Sequence, residues 1–293
     1  MSCHRYRPSL NPAVIVLIVL ASLPWQDSLG QGARNNASPR ASGSSRNEPI
    51  RKRLLTLDLG KPTPPPLPAA TVVEKLMDTG RWRSSQLRGF RSTRLYQLQY
   101  HGLFGNRAAT MKVIATFTAP ENWDFAIVSQ SGSKLLLNRV LLKLLDSERE
   151  AYRNGSQIEI SPANYQFESL GLENTAGDDP CYVLHVQPRQ DTKFLYRGKI
   201  WVDAKDFALS RMEGEPARSP SFWVKDTRIE STWGKVGDFW FIAHNHSQSR
   251  IRMGGTATLT IDYTDYQLTG AGKSQGSGQN VQLPAPSSVT PER

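Results

Sequence analysis

Cysteine is almost absent from this chain. Its 293 residues hold two, Cys3 and Cys181. Cys3 stands ahead of an apolar run, Ala13–Leu23, that reads as an export signal, so cleavage removes it. Cys181 is then left without an intrachain disulfide partner, which excludes a disulfide framework and obliges the chain to build a real hydrophobic core. Within the apolar strand pattern Pro180–Val186 it reads as a small buried hydrophobe, with no basic helix end beside it to activate a thiolate. Long apolar runs are scarce as well. Ala13–Leu23 falls well short of the ~20 residues that cross a bilayer, and no other stretch qualifies. Catalytic signatures are also lacking. There is no phosphate-cradling glycine loop, no nucleophile elbow and no cysteine pairing for zinc. The sequence calls for no cofactor and no metal, and it reads as a binding module, not an enzyme.

What is present begins with an address. Arg5 and Arg7 form a basic n-region, Pro24 closes the apolar core, and Ser28-Leu29-Gly30 offers small residues for a signal peptidase. Cleavage is expected near Gly30, with a soluble mature protein in the periplasm. The net charge is +10, and removing Arg5, Arg7 and Asp27 leaves +9. Much of the excess lies at Arg34, Arg40, Arg46, Arg51, Lys52 and Arg53. Such a run suits anionic headgroups or nucleic acid; after export no nucleic acid partner is expected, and a solvated arm is the plainer reading.

Four regions follow from composition: a signal peptide over 1–30, a basic and Pro-rich disordered linker over 31–69, a folded domain over 70–268, and a Gly/Ser/Pro-rich disordered tail over 269–293. The domain opens with an expected helix over Thr71–Thr79, capped by Thr71 with Glu74 and stopped at Gly80. Strands are expected at Thr93–Tyr100, Ala108–Ala119 and Phe125–Gln130. In the second, Met111, Val113, Ala115 and Phe117 alternate with more polar neighbours, as for a sheet with one face toward a core or cavity. A helix over Asn138–Arg153 carries Leu137, Val140, Leu141, Leu144 and Leu145 at helical spacing, with Leu142 outside that stripe. It reads either as an ordinary core helix or as a lid over an internal ligand space. Ser161–Phe167 reads as a further short helix. From Cys181 onward hairpin follows hairpin, with turns at Asp203–Asp206, Gly234–Asp238 and Gly254-Gly255. The fold class is α+β: a strongly curved antiparallel sheet, an incomplete β-barrel, covered on its concave side by helices.

His244 and His246 share one face of a strand and offer two metal ligands without a third; the alternative is a water-facing polar surface with Asn245 opposite. Asp203 and Asp206 read as an exposed turn pair without an enclosed site. The tryptophans outnumber what a small two-layer core needs, and a concave sheet lined by them makes an apolar cavity.

The stretch Lys193–Gly214, with its apolar-Val-Asp turn at Trp201-Val202-Asp203, resembles the periplasmic lipoprotein carriers of the LolA/LolB type and the outer-membrane lipoprotein-sorting proteins around them. Ser219–Val224 and Gly237–Phe241 look like a branch of that family found in environmental bacteria. The resemblance covers about Thr71–Leu268. It implies an incomplete barrel closed by helices around an apolar cavity for lipoprotein acyl chains or another lipid, with membrane-bound donor and acceptor proteins. It also implies a lid held shut by an arginine, which no motif here assigns to one position. The cavity is then expected to be lined by Met111, Val113, Phe117, Leu141, Leu142, Leu144, Leu145, Trp201 and Trp240. An envelope sensor that detects lipoproteins with the same fold is the alternative.

Overall fold

The computed structural model describes residues 64–269, apart from 104, 154–158, 175–178, 193, 220, 221, 223 and 253. The expected signal peptide, tail and all but the end of the linker lie outside the described residues. Helix α1 (Ala69–Gln86) comes first, followed by β1 (Gly89–His101), β2 (Arg107–Thr118) and β3 (Asn122–Gly132). A helical segment then runs through α2 (Lys134–Leu136), a π-helical turn (Leu137–Leu141) and α3 (Leu142–Arg153). The rest is strand: β4 (Tyr165–Asn174), β5 (Pro180–Pro188), β6 (Tyr196–Asp203), β7 (Leu209–Pro216), β8 (Val224–Val236), β9 (Phe239–Ile251) and β10 (Thr256–Leu268).

All ten strands form one antiparallel sheet in the order β3-β2-β1-β10-β9-β8-β7-β6-β5-β4. The last strand returns to pair with the first, so Tyr96 lies opposite Ile261. β3 and β4 remain as edges, and the curved sheet does not close. Curvature is required by the packing. Trp123 on β3 and Leu209 on β7 line the same groove although six strand spacings separate them, about 29 Å on a flat sheet.

Period-2 alternation sets the inner face. Met111, Val113, Ala115 and Phe117 of β2 are buried, as expected, and so are Leu259, Ile261 and Tyr263 of β10. They join one core with Val140, Leu141, Leu144 and Leu145 of the central helical segment. That stripe extends one further step to Glu148, which is also buried. Leu142, off the stripe, is only partly buried against the core.

Three expectations are corrected. α1 starts two residues before Thr71, with Pro68 at its N-cap position and no side-chain cap, and it runs through Gly80 to Gln86. An interior glycine costs a helix roughly 1 kcal/mol relative to alanine. Here Gly80 borders the groove described below, and the turn beyond it is held by the bond from Arg83 to the Asp206 carbonyl. Ser161–Phe167 is not a helix. The Asn164 and Tyr165 amides both donate to the Ser161 carbonyl, at 3.0 and 2.9 Å, and the chain then extends into β4. Pairing of Phe167 with Val186 on β5, together with the strand preference of Tyr and Phe, outweighs the cap signal. Trp201, expected inside, lies on the outer face. Ile200 and Val202 take the inner positions of β6, and Trp201 packs in a separate cluster with Cys181 and Val183.

Candidate functional site

The hollow lies beneath α1. A half-open groove of about 130 Å³ runs between that helix and one end of the sheet. Leu76, Met77 and Leu87 line it from the helical side, and Phe90, Phe241 and Tyr266 from β1, β9 and β10. These last three rings form a continuous wall, with centroids of Phe90 and Phe241 4.8 Å apart and Phe241 stacked on Tyr266 at 4.6 Å. Trp123 meets Phe90 edge-on at 5.5 Å. Trp233, Phe239, Trp240 and Ile242 complete the far side. Strict alternation would turn every second residue of Phe239–Ile242 away. The pairing of β8 with β9 shifts register between Thr232 and Trp233, and all four residues border the groove.

The β6–β7 turn closes one end of this space. Asp203 Oδ1 accepts from the Lys205 and Asp206 amides at 3.0 and 2.6 Å, which folds the turn, and Phe207 sits at φ 45°. The turn is not the exposed carboxylate pair expected from the sequence. Asp203 is buried, and Asp206 faces α1 on one side and the β8–β9 hairpin on the other. The Asp206 carbonyl accepts from Arg83 at 2.6 Å, and the Phe207 carbonyl accepts from Thr79 Oγ1 at 2.7 Å. Lys75 lies over the Phe207 ring at 5.1 Å. The Asp206 carboxylate accepts from Lys235 Nζ at 2.6 Å and Trp240 Nε1 at 2.9 Å. Partial burial pushes that carboxyl up, but Lys235 and Trp240 outweigh it and hold the group below its ordinary value.

The inner wall contains a second polar device. Arg94 on β1 and Glu148 on α3 pair at 2.5 Å with both side chains 2% exposed. Tyr96 donates its hydroxyl to the other Glu148 oxygen at 2.9 Å. Phe125, Tyr263 and Trp123 surround the Arg94 guanidinium at 5.1, 5.3 and 5.6 Å from their centroids. Burial pushes the Glu148 carboxyl above its ordinary value, while Arg94 and Tyr96 pull it back. Arg94 also borders the groove, so this pair ties the central helical segment to the groove's inner end.

Of the residues expected to line the cavity, Trp240 alone borders the groove. Phe117 stands behind its wall, 5.7 Å from Phe90 and 5.0 Å from Trp123 between centroids. Met111, Val113, Leu141, Leu144 and Leu145 are in the packed core under the central helical segment, Leu142 is at its margin, and Trp201 is on the other side of the sheet. His244 and His246 do share a face, with Asn245 buried opposite. Their Nδ1 atoms face Asp262 at 2.7 Å and Thr260 at 3.3 Å, and the described residues contain no metal-binding cluster of three or more His, Cys, Asp or Glu. Most groove residues were not among those expected: they come from α1, from β1, β3, β8 and β10, from the β6–β7 turn, and from Phe239, Phe241 and Ile242 beside the expected Trp240. The signal available for this last group was the aromatic run Phe239-Trp240-Phe241.

No family model and no curated protein matches the chain. Among solved structures it is similar to a DUF1329 family protein from Desulfovibrio piger, at 11% identity and a TM-score of 0.35, covering 69% of this chain and 93% of that one. A domain described as an outer membrane lipoprotein-sorting protein from Vibrio parahaemolyticus gives 11% identity and a TM-score of 0.34, over 69% and 95% of the two chains. A LolA superfamily protein from Nitrosomonas europaea gives 10% and 0.31, over 70% and 94%. These likenesses are low in identity and in TM-score, and the arrangement of this chain stands on its own elements: a helix, three strands, a central helical segment and consecutive hairpins in a single unclosed sheet.

Proposed function

We propose that this is an exported periplasmic binding protein that takes lipid hydrocarbon, such as a lipoprotein acyl moiety, into the groove beneath α1 and carries it toward the outer membrane. The observation that supports this reading is the groove itself, walled by aromatic and aliphatic side chains with no carboxylate among the described residues of its lining. Such a lining is what hydrocarbon recognises, at about 0.8 kcal/mol for each methylene withdrawn from water. The volume sets the stage of loading. An apolar cavity of ~150 Å³ accepts benzene, so about 130 Å³ takes a short alkyl segment in this state and not a triacylated anchor. Full loading therefore requires the covering elements to move. α1 is fastened through the β6–β7 turn, and the central segment through Arg94 and Glu148. In this reading Arg94 takes the part of the lid-holding arginine. Lifting the central segment would add Met111, Val113, Leu141, Leu144 and Leu145 to the lining, with Leu142 at the rim. Donor and acceptor proteins in the membrane would supply and receive the cargo.

Native mass spectrometry of the protein isolated from its own periplasm tests the reading. A co-purifying lipid or acylated peptide, displaced on acid unfolding, is the expected result. Protein that arrives empty and takes up no dodecyl-chain amphiphile would overturn it.

A further inference from the structure

The groove is apolar along its walls but not neutral. Arg83 and Arg94 both reach it, and among the described residues neither aspartate nor glutamate does. The two arginines are in different positions. Arg94 is at the inner end, buried, with the Glu148 carboxylate answering its charge. Arg83 stands in the last turn of α1, half-buried, between exposed Trp82 and half-buried Ser84, next to the exposed end of the helix at Ser85 and Gln86, and so at the groove's rim. One of its terminal nitrogens donates to the Asp206 carbonyl at 2.6 Å, a neutral acceptor. Its Nε is buried and has no hydrogen-bond partner among the described residues. The Asp206 carboxylate in the same turn is already engaged by Lys235 and Trp240. A guanidinium offers five donors in a planar fork that matches carboxylate and phosphate oxygens, and the Asp206 carbonyl engages one of its terminal nitrogens.

The geometry points to a ligand class: we infer that the groove accepts a single-chain amphiphile with an anionic head, carboxylate or phosphate. Arg83 binds the head at the rim, and the tail lies against Phe90, Phe241 and Tyr266. This rests on the groove being a hydrocarbon site. The volume agrees with one tail segment, not a bundle of tails.

The test uses the full chain and follows the fluorescence of its tryptophans, three of which (Trp123, Trp233 and Trp240) border the groove. Dodecanoate, dodecyl phosphate and dodecan-1-ol are titrated below their aggregation limits. The tail is the same in all three, so the head alone separates them. An anion is expected to bind about tenfold more tightly than the alcohol, the size of one charge-assisted hydrogen bond. Preference for dodecanoate over dodecyl phosphate points to a fatty-acid source, and the reverse order to a phospholipid-derived one. Arg83→Gln is expected to remove that tenfold preference; because the variant also loses the bond from Arg83 to the Asp206 carbonyl, the readout is the ratio of anion to alcohol affinity within each protein. Arg83→Lys, which keeps the charge, should retain part of the preference and covers the case of a glutamine variant that misfolds. Equal affinity of the native protein for all three probes, or an equal loss for all three in both variants, would overturn the anionic-head assignment and leave the groove reading standing. Failure of all three to bind the native protein would overturn the groove reading itself.

Discussion

At the scale of single residues, the pair Arg94–Glu148 shows how burial changes what a charge does. Both side chains are 2% exposed, so neither charge is screened by solvent. Breaking such a pair by removing one partner costs about 3–5 kcal/mol, because the surviving charge stays in a poor solvent, whereas replacing both by apolar groups is often neutral. Glu148→Gln keeps the shape and leaves the Arg94 charge without its carboxylate. It is expected to lower the unfolding free energy by about 3 kcal/mol in urea denaturation. Arg94→Met combined with Glu148→Leu should recover most of that loss. Additive losses in the double variant would show that the two side chains are not coupled. The sequence gives no hint of this pair. Glu148 and Arg94 stand in different elements, 54 residues apart along the chain. Only the register of α3 on the sheet brings them together, and register is set by the leucine stripe that Glu148 extends.

At the scale of elements, the β6–β7 turn acts on α1 through backbone carbonyls and on the β8–β9 hairpin through one carboxylate. Because Asp206 sits below its ordinary value of 3.8 in the fold, the stability it contributes is present above that pH and lost as pH falls through the lowered value. Acidification below about pH 3.8 should therefore release Trp240 and loosen the end of the groove. Acrylamide quenching of tryptophan fluorescence should rise over that window in the native protein, and the step should be missing in Asp206→Asn, whose quenching is already raised at pH 7. A native-like step in that variant would assign it to another carboxylate. This turn was legible as a turn from its Asp-Ala-Lys-Asp composition, and so were most strands from their alternation. What was not legible was which surface the turn faces. Asp203 and Asp206 look solvent-exposed in sequence because local pattern carries no information about α1, more than a hundred residues earlier, folding against them. The same lack of long-range information placed Trp201 inside: its strand was read correctly, but which of the two faces is concave is decided by pairing across the whole sheet. The helix α1 was cut short at Gly80 because propensity is a local signal, and the groove that makes a glycine suitable there is not.

At the scale of the molecule, an unclosed sheet with helices at its hollow has two regions of different character. Under the central segment the leucines of the helix and the inner residues of β2 are buried together in one core. Under α1 the helix and the wall of aromatic rings leave about 130 Å³ between them. A hydrophobic core closes because each buried group gains contacts on every side, and the rings below α1 forgo some of those contacts. A ligand that supplies them stabilises the folded state by RT ln(1 + [L]/Kd), about 2.7 kcal/mol at a hundredfold excess over Kd. For a domain of about 200 residues, each kcal/mol raises the thermal midpoint by about 2–4 °C. Saturation with dodecanoate should therefore raise the midpoint by about 5–10 °C in a calorimetric scan. Filling the groove from within should imitate the ligand and exclude it. Gly80→Leu places a side chain at the groove's border on α1, where it adds contact and removes the glycine penalty. That variant is expected to melt above the native protein without ligand and to show little further rise with dodecanoate. If it instead retains the full ligand-induced rise, dodecanoate binds somewhere other than beneath α1.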